Sequence, residues 1–398
     1  MATPVLAQRV TRIQPSFTLE MTARAAELRH EGIDVIDLGV GEPDFNTPRN
    51  IREAAKRAMD GGYTKYTPAA GLRELREAIA TKLRRDNGLD YSPDQIIVSN
   101  GAKHSLSTAC QALFNPGDRV IIFSPYWVSF PEFIRLADAE PVVVRTVADE
   151  NFVPDFDDLE SKIDPRVRGV ILNTPSNPTG AVWDTDTVRK ILEYARDRDW
   201  VVISDECYER LVYDDQFIST ERVNPGGVTV LTVQSLSKTY AMTGWRIGYA
   251  AGHPDIIRAM AKIQGQMTSC PNAIGQMAAV EALLGDQQSV EEAVTLFRHR
   301  RNIMVDALNG IPQISCRRPG GAFYVFPQIG YYLGREWEGK KIDTSFALSD
   351  YILDRARTVT VAGAGFGGEG HIRLSYATQK ETFLKGLERI KEALAELA

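Results

Sequence analysis

Ser235-Leu236-Ser237-Lys238 opens the stretch SLSKTYAMTGWRIGYAAG, residues 235–252, directly after an apolar run from Val228 to Val233. A strand-like segment therefore runs straight into two hydroxyls and a lysine, and Arg246 follows eight residues after Lys238. Two hydroxyls and a guanidinium make a phosphate cradle, because the guanidinium fork matches phosphate oxygens and the hydroxyls donate to those that remain. An amine held beside that phosphate is placed to form a Schiff base with an aldehyde ligand. A solvated lysine in a polar loop gives the same four letters, so the surrounding chain has to decide.

The neighbouring segments share this grammar. Ile96 to Val98 is a buried-type strand that passes through Ser99-Asn100-Gly101-Ala102-Lys103 into a helix expected over His104 to Phe114. Strand, glycine turn and helix N-terminus make an anion site, since free N–H groups and the helix dipole face the ligand; an ordinary βα turn reads the same way. Val120 to Phe123 leads to Ser124-Pro125-Tyr126-Trp127, and Val142 to Val144 is a further strand. Gly169 to Leu172 leads to the loop Asn173 to Gly180, with a helix after it faced by Val188, Ile191, Leu192 and Ala195. Val201 to Ile203 leads to Ser204-Asp205-Glu206-Cys207-Tyr208. This alternation predicts an α/β chain: a three-layer large domain with a mostly parallel sheet between helices. Ligands of such sheets bind beyond the carboxyl ends of the strands, and each polar cluster is expected at such an end.

The two flanks read differently. Before the alternation come an amphipathic segment from Leu19 to Arg29, a strand from Val35 to Leu38 and the loop Gly39-Val40-Gly41-Glu42-Pro43-Asp44-Phe45. A helix over Asn50 to Met59, the polar loop Lys65-Tyr66-Thr67-Pro68 and a helix faced by Leu72, Leu75, Ile79 and Leu83 follow. After Pro254 helices dominate to Asn309. Ile314 to Phe326 reads as two strands broken at Pro319-Gly320-Gly321, Ser345 to Arg355 as a helix, and Val359 to Val361 and His371 to Tyr376 as strands. Thr378 with Glu381 reads as a capping box for the last helix. The expectation is a large domain over 46–290 and a smaller α+β domain built from 1–45 and 291–398.

Bulk properties narrow the function. The 398 residues are 43% apolar and 25% charged, ordinary for a globular enzyme. A net charge of -6 without a basic block argues against nucleic acid as a partner. Cys110, Cys207, Cys270 and Cys316 lie far apart, so neither a disulfide framework nor a metal site is expected, and a reducing compartment suits them. The N-terminus has no secretory pattern and no apolar run nears the ~18 residues of a membrane span, so a cytoplasmic protein without membrane contact is expected. Gly363-Ala364-Gly365-Phe366-Gly367-Gly368 matches a dinucleotide-binding G-x-G-x-x-G, but that motif must open a helix. The residues after it read as a strand, so it is taken as a glycine-rich turn and a nicotinamide dehydrogenase is set aside.

The motifs GVGEPDF, KYTPAAGLRELREAI, SNGAKHSL, SPYWVSF, NTPSNPTGAV, SDECYE, SLSKTYAMTGWRIGY and HIRLSYA occur in that order. Together they resemble the class I aminotransferases of pyridoxal phosphate fold type I, most of all the bacterial aspartate aminotransferase subgroup, over essentially the whole chain. The resemblance implies roles. Lys238 is similar to the Schiff-base lysine that is also the general base, and Asp205 to the carboxylate facing the pyridine nitrogen of pyridoxal 5'-phosphate. Asn177 and Tyr208 resemble the pair that hydrogen-bonds the ring's phenolic oxygen, and Trp127 the aromatic stacked on the ring. Ser235, Ser237, Arg246 and the N–H groups of Gly101 and Ala102 resemble the phosphate cradle. Tyr66 resembles a tyrosine given to that phosphate by the second subunit of a homodimer. Arg373 resembles the arginine that grips the substrate α-carboxylate, with Gly41 closing over the same group and Trp127 and Asn177 beside it. Lys103 resembles a lysine that receives a distal carboxylate, although its place beside the phosphate turn also suits a cofactor role; Ser16 and Thr18 match its polar neighbours. Phe17 and Gln14 depart from the subgroup's pattern at the pocket entrance. The implied reaction moves an amino group between an L-amino acid, aspartate or glutamate first, and a 2-oxo acid such as 2-oxoglutarate, by a ping-pong route. Aromatic amino acids or prephenate as substrates, or a C–S β-lyase on the same fold, are the alternatives. A transcription regulator of this fold would carry an added N-terminal helix-turn-helix domain, for which about 40 residues before GVGEPDF are too few.

Overall fold

A computed structural model describes residues 5–15, 17–214 and 216–397. Among the described residues, eight strands form the main sheet. Their order is Ile96–Ser99, Gly248–Ala251, Thr229–Ser235, Val201–Asp205, Val167–Asn173, Arg119–Ser124, Glu140–Val147 and Val153–Pro154. Gly248–Ala251 runs antiparallel to both neighbours and Val153–Pro154 antiparallel to Glu140–Val147, while the other pairs are parallel. The mostly parallel α/β sheet expected from the alternation is therefore present.

Period-two alternation explains why the strands are apolar throughout. Ile97, Ile122 and Ile203 point to one face, where the helices Ala102–Leu113 and Pro254–Met267 cover them. Ile121, Val170 and Val202 point to the other, against Val188, Ile191 and Leu192 of the helix Thr185–Arg196. On that same face Ile96 and Val98 meet Leu75 and Ile79 of Arg73–Lys82 and Ala278 of Ala273–Leu284. A strand buried on both faces has no polar side to show, and it gains about 25 cal/mol for each Å² of apolar surface removed from water.

Outside the main sheet, Tyr324–Val325, Ile372–Ser375 and Val361–Ala362 form a three-stranded antiparallel sheet, and Ile36–Asp37 pairs in parallel with Thr358–Val359. The helices Gln288–Asn309, Ser345–Ala356 and Lys380–Ala395 pack with these strands in one apolar cluster that includes Phe297, Phe323, Ile352 and Phe383.

Several expectations need correction. The helix after the glycine turn begins at Ala102, two residues before His104, because Gly101 takes a left-handed φ of 81° and turns the chain at once. Val359 to Val361 is two short strands in two different sheets, not one. The first half of Ile314 to Phe326 forms only an isolated bridge, between Ser315 and Gln328. The last helix starts at Lys380 with Gln379 as an N-cap that makes no side-chain bond, so the Thr378–Glu381 capping box is absent. The chain is still leaving the strand Ile372–Ser375 there, with the Ala377 N–H returned to the Ser375 hydroxyl. Lys65-Tyr66-Thr67-Pro68 follows a helix instead of a sheet strand, so not every polar cluster sits at a strand end. Gly363–Phe366 is a 3-10 turn that leads to the strand Ile372–Ser375, with no helix opened by the glycines.

Candidate active site

The carboxyl ends of four strands converge. Val201–Asp205 ends on Asp205, and Thr229–Ser235 ends on Ser235, which caps the short helix Leu236–Thr239 by accepting the Ser237 N–H at 3.1 Å. Ile96–Ser99 delivers Ala102 and Lys103, and Val167–Asn173 delivers Asn177. They enclose a cavity of about 200 Å³ lined by Lys238, Asp205, Tyr208, Cys207, Asn173 and Asn177, with Trp127, Ala102, Lys103, Ser235, Ser237 and Arg246 completing the wall.

One end of the cavity is built for an anion. Among the described residues, Lys103, Lys238 and Arg246 have no carboxylate partner, and Asp205 is the one acid in the lining. Arg246 donates to the carbonyls of Thr243 at 2.9 Å and Asn100 at 3.3 Å, which aims its guanidinium across the glycine turn. A Cβ on Gly101 would lie 2.5 Å from Arg246 Nη2, so only glycine lets the two approach. The Gly101 N–H itself returns to the Ser99 carbonyl at 2.7 Å, which leaves Ala102 in the first helical turn as the free backbone donor of the pair. Lys103 stands over the Trp127 ring at 5.5 Å, and burial followed by the nearby Arg246 charge lowers its pKa.

The other end holds the titrating pair. Asp205 is 4% exposed, and burial pushes its carboxyl up to about 6 against the opposing pull of the Cys207 thiol and N–H and the Lys238 charge. Burial lowers the Lys238 amine to about 8, and its Nζ donates to the Gly41 carbonyl at 2.6 Å. An amine at that value is neutral in part near neutral pH, as a nucleophile or base requires. Asn173 was not assigned a role from sequence. It accepts the Asn177 N–H at 2.9 Å and donates to the Asp205 carbonyl at 3.2 Å, tying the two loops together.

Arg373, in the strand Ile372–Ser375 of the smaller sheet, does not itself line this cavity but is bonded to Asn177, which does. Its Nη1 donates to Asn177 Oδ1 at 2.9 Å and its Nη2 to the Gly39 carbonyl at 2.7 Å, while Nε is buried with no partner among the described residues. The guanidinium lies over the Tyr324 ring at 4.4 Å and the Phe366 ring at 5.1 Å. A buried cation with an orphan donor is costly unless an anion arrives.

Not all expected residues meet here. Tyr66 is 90% exposed and lines a separate surface depression with Tyr63, Asn100, Thr268 and Cys270. Gly41 reaches the cavity through its carbonyl. Ser16 and the side chain of Thr18 lie outside the described residues. Phe17 packs edge-on against Phe346 and Phe366, and it fills the space in front of Gly365. With Gln14, Tyr126 and Lys103 it lines a second cavity of about 620 Å³.

The family described as Aminotransferase class I and II matches residues 33–390. The chain belongs to that family. It is 42% identical to the aspartate/prephenate aminotransferase of Thermus thermophilus over 397 residues, 98% of each chain. Among solved structures, the aspartate aminotransferase of Rhizobium meliloti superposes with a TM-score of 0.95 at 42% identity, all of both chains being covered. The Thermus thermophilus aspartate aminotransferase with maleate superposes at 0.91 and 40% identity, over 98% of this chain and 100% of that one. The protein is an aminotransferase, and its large mixed sheet with flanking helices is the fold of these fold type I relatives.

Proposed function

We propose that this aminotransferase uses pyridoxal 5'-phosphate, held by Lys238, to move amino groups between aspartate or glutamate and a 2-oxo acid such as 2-oxoglutarate. The observation that carries the reading is the meeting, in one cavity, of a lysine amine lowered to about 8, a buried carboxylate and, among the described residues, an uncompensated cationic end. The residues fit the cofactor chemically. Ser235, Ser237, Arg246 and the Ala102 N–H suit a phosphate dianion, with the Gly101 turn making room for the guanidinium. Asp205 carries a strained charge that a protonated ring nitrogen would satisfy. Tyr208 and Asn177 offer donors toward a phenolic oxygen, and Trp127 offers a face for a flat ring. Bound there, the cofactor supplies an electron-poor ring that takes up charge from the substrate Cα.

The protein's own part is to hold and move protons. Asp205 keeps the proton on the ring nitrogen. Lys238 is the covalent anchor and, once freed, the base that carries the Cα proton. Arg373 takes the α-carboxylate on its unused Nε and the neighbouring nitrogens, and its buried, aromatic setting rejects amines without a carboxylate. Release of the first 2-oxo acid before entry of the second gives ping-pong kinetics. Exposed Tyr66 suits donation to the phosphate of a second subunit in a homodimer, and the absence among described residues of a helix able to cross a membrane is compatible with a cytoplasmic enzyme.

Substrate choice rests on Lys103, which lines both cavities and has no carboxylate partner among the described residues. It suits the distal carboxylate of aspartate or glutamate, and the relative solved with maleate accommodates a dicarboxylate. The second cavity favours a second reading. Its aromatic wall of Phe17, Tyr126 and Phe346 beside Lys103 suits an acid with a bulky ring, and the Thermus relative is named for prephenate as well as aspartate. Assays of aspartate, glutamate, phenylalanine and prephenate with wild type and Lys103→Ala test both. Loss of a charge-assisted contact of about 2–3 kcal/mol lowers kcat/KM for the diacids by about 30- to 150-fold and leaves phenylalanine within a few-fold. An equal fall for all four would refute the substrate role of Lys103.

A further inference from the structure

Tyr324 lies in the smaller sheet, on the strand Tyr324–Val325 that pairs directly with the strand carrying Arg373. Its side chain is 1% exposed, yet its hydroxyl sits among groups of the site. It is 3.0 Å from the Tyr208 hydroxyl, 116 residues away. It also fills the space where a Cβ on Gly41 would be, at 2.8 Å, and Gly41 is the residue whose carbonyl holds Lys238. The ring of the same tyrosine is the platform under the Arg373 guanidinium.

The two hydroxyls share one hydrogen bond, in which either can be the donor. Burial pushes both phenols above the usual tyrosine range, so both keep their protons. One proton lies between them and one points elsewhere. Either hydroxyl could supply the bridging proton; Tyr208 lines the cavity and Tyr324 does not, so when the Tyr208 proton turns to a ligand there the bridging proton must come from Tyr324. A hydroxyl that accepts a hydrogen bond becomes a stronger donor in turn, and low surrounding dielectric strengthens the effect.

We infer that Tyr324 is a positioning residue that donates to Tyr208 and thereby strengthens the hydrogen bond Tyr208 gives to the phenolic oxygen of the bound cofactor. The inference rests on the cofactor reading above. It adds a residue that reaches the cofactor only through another side chain and that shares a strand pair with the substrate-carboxylate arginine. Stabilising the ionised phenolic oxygen makes the cofactor's visible band titrate at lower pH. Removing the Tyr324 hydroxyl therefore moves that titration upward.

The test is a pH titration of the visible absorbance of the loaded enzyme, with Tyr324→Phe, Tyr208→Phe and the double variant. Phenylalanine keeps the ring under Arg373, so the fold and the stack are retained. Tyr324→Phe is expected to raise the titration midpoint by about half a unit to one unit, the worth of one hydrogen bond. Tyr208→Phe raises it more, and in that background Tyr324→Phe adds nothing, since the shared hydrogen bond is already gone. An unchanged midpoint in Tyr324→Phe, or the same shift with and without Tyr208, overturns the inference. If Tyr324→Phe does not load, Gly41→Ala pushes a methyl into the same hydroxyl and must raise the midpoint; no rise overturns the inference too. A wild type that shows no visible band at all would instead overturn the cofactor reading beneath it.

Discussion

Replacing Asp205 by asparagine in the cofactor-free protein should stabilise it. Asp205 is 4% exposed, and burial lifts its carboxyl from 3.8 to about 6. Two units at about 1.4 kcal/mol each put the cost of carrying this charge at about 3 kcal/mol. The native state holds the proton more tightly than the unfolded chain does. Stability therefore falls as pH rises from about 4 through about 6, and the whole cost is present above that range. Asparagine keeps an acceptor for the Cys207 N–H and carries no charge. Urea denaturation of stripped protein at pH 8 should show Asp205→Asn more stable than wild type by about 2–3 kcal/mol, with about half that gain left at pH 5. The same variant should hold the cofactor less well, because no negative charge then faces the ring nitrogen. No gain at pH 8, or a gain independent of pH, would refute the claim that this carboxylate is strained until a cation meets it.

Three further outcomes are expected. The rate at which stripped protein captures pyridoxal phosphate, followed by absorbance, should rise about tenfold per pH unit below about 8 and level above, because burial lowers the Lys238 amine to about 8 and only the neutral form attacks; a rise continuing past pH 10 would contradict this. Arg373→Lys should lower kcat/KM by at least 100-fold for every amino acid tested, since one ammonium cannot reach Asn177, Gly39 and a carboxylate together, and a loss confined to diacids would contradict the assignment. Lys238→Ala and Tyr66→Ala should each lose most activity while their mixture, unfolded and refolded together, regains part of it through hybrid dimers, and no recovery on mixing would argue against a shared site.

How far the sequence could be read follows from which contacts are local. The strand ends were legible because each buried strand is a short apolar run that stops at a polar cluster, as Val201 to Asp205 does. Asp205, Lys238 and Asn177 lie at or just after such strand ends, Arg246 lies just before the strand Gly248–Ala251, and the four came together in one cavity. Contacts made across the chain left no local trace. Tyr324 sits in a run, Ala322 to Phe326, that reads as core, and nothing near it marks a hydroxyl partner at Tyr208. Lys82 looks like a surface residue of an amphipathic helix. It is instead buried, bonded to Glu209 at 2.6 Å, Gln234 at 2.7 Å and Asn87 at 2.9 Å. Glu206 likewise read as one more member of a polar loop, yet it is buried and accepts from Ser219, Thr220, Ser204 and Gln234, which pins the turn that carries Asp205. The capping box failed because Thr378 and Glu381 have the right spacing one residue out of place: the N-cap is Gln379, so Thr378 precedes it and Glu381 falls at the second helical position.

Everything proposed for catalysis depends on one amine meeting one aldehyde. Loaded enzyme reduced with borohydride, digested and weighed by mass spectrometry tests this directly. The reduced cofactor is expected on the peptide that contains Lys238, in about one equivalent per chain, with the visible band lost in step. A label on Lys103 or another lysine, or no label on a protein that still transaminates, would contradict the account.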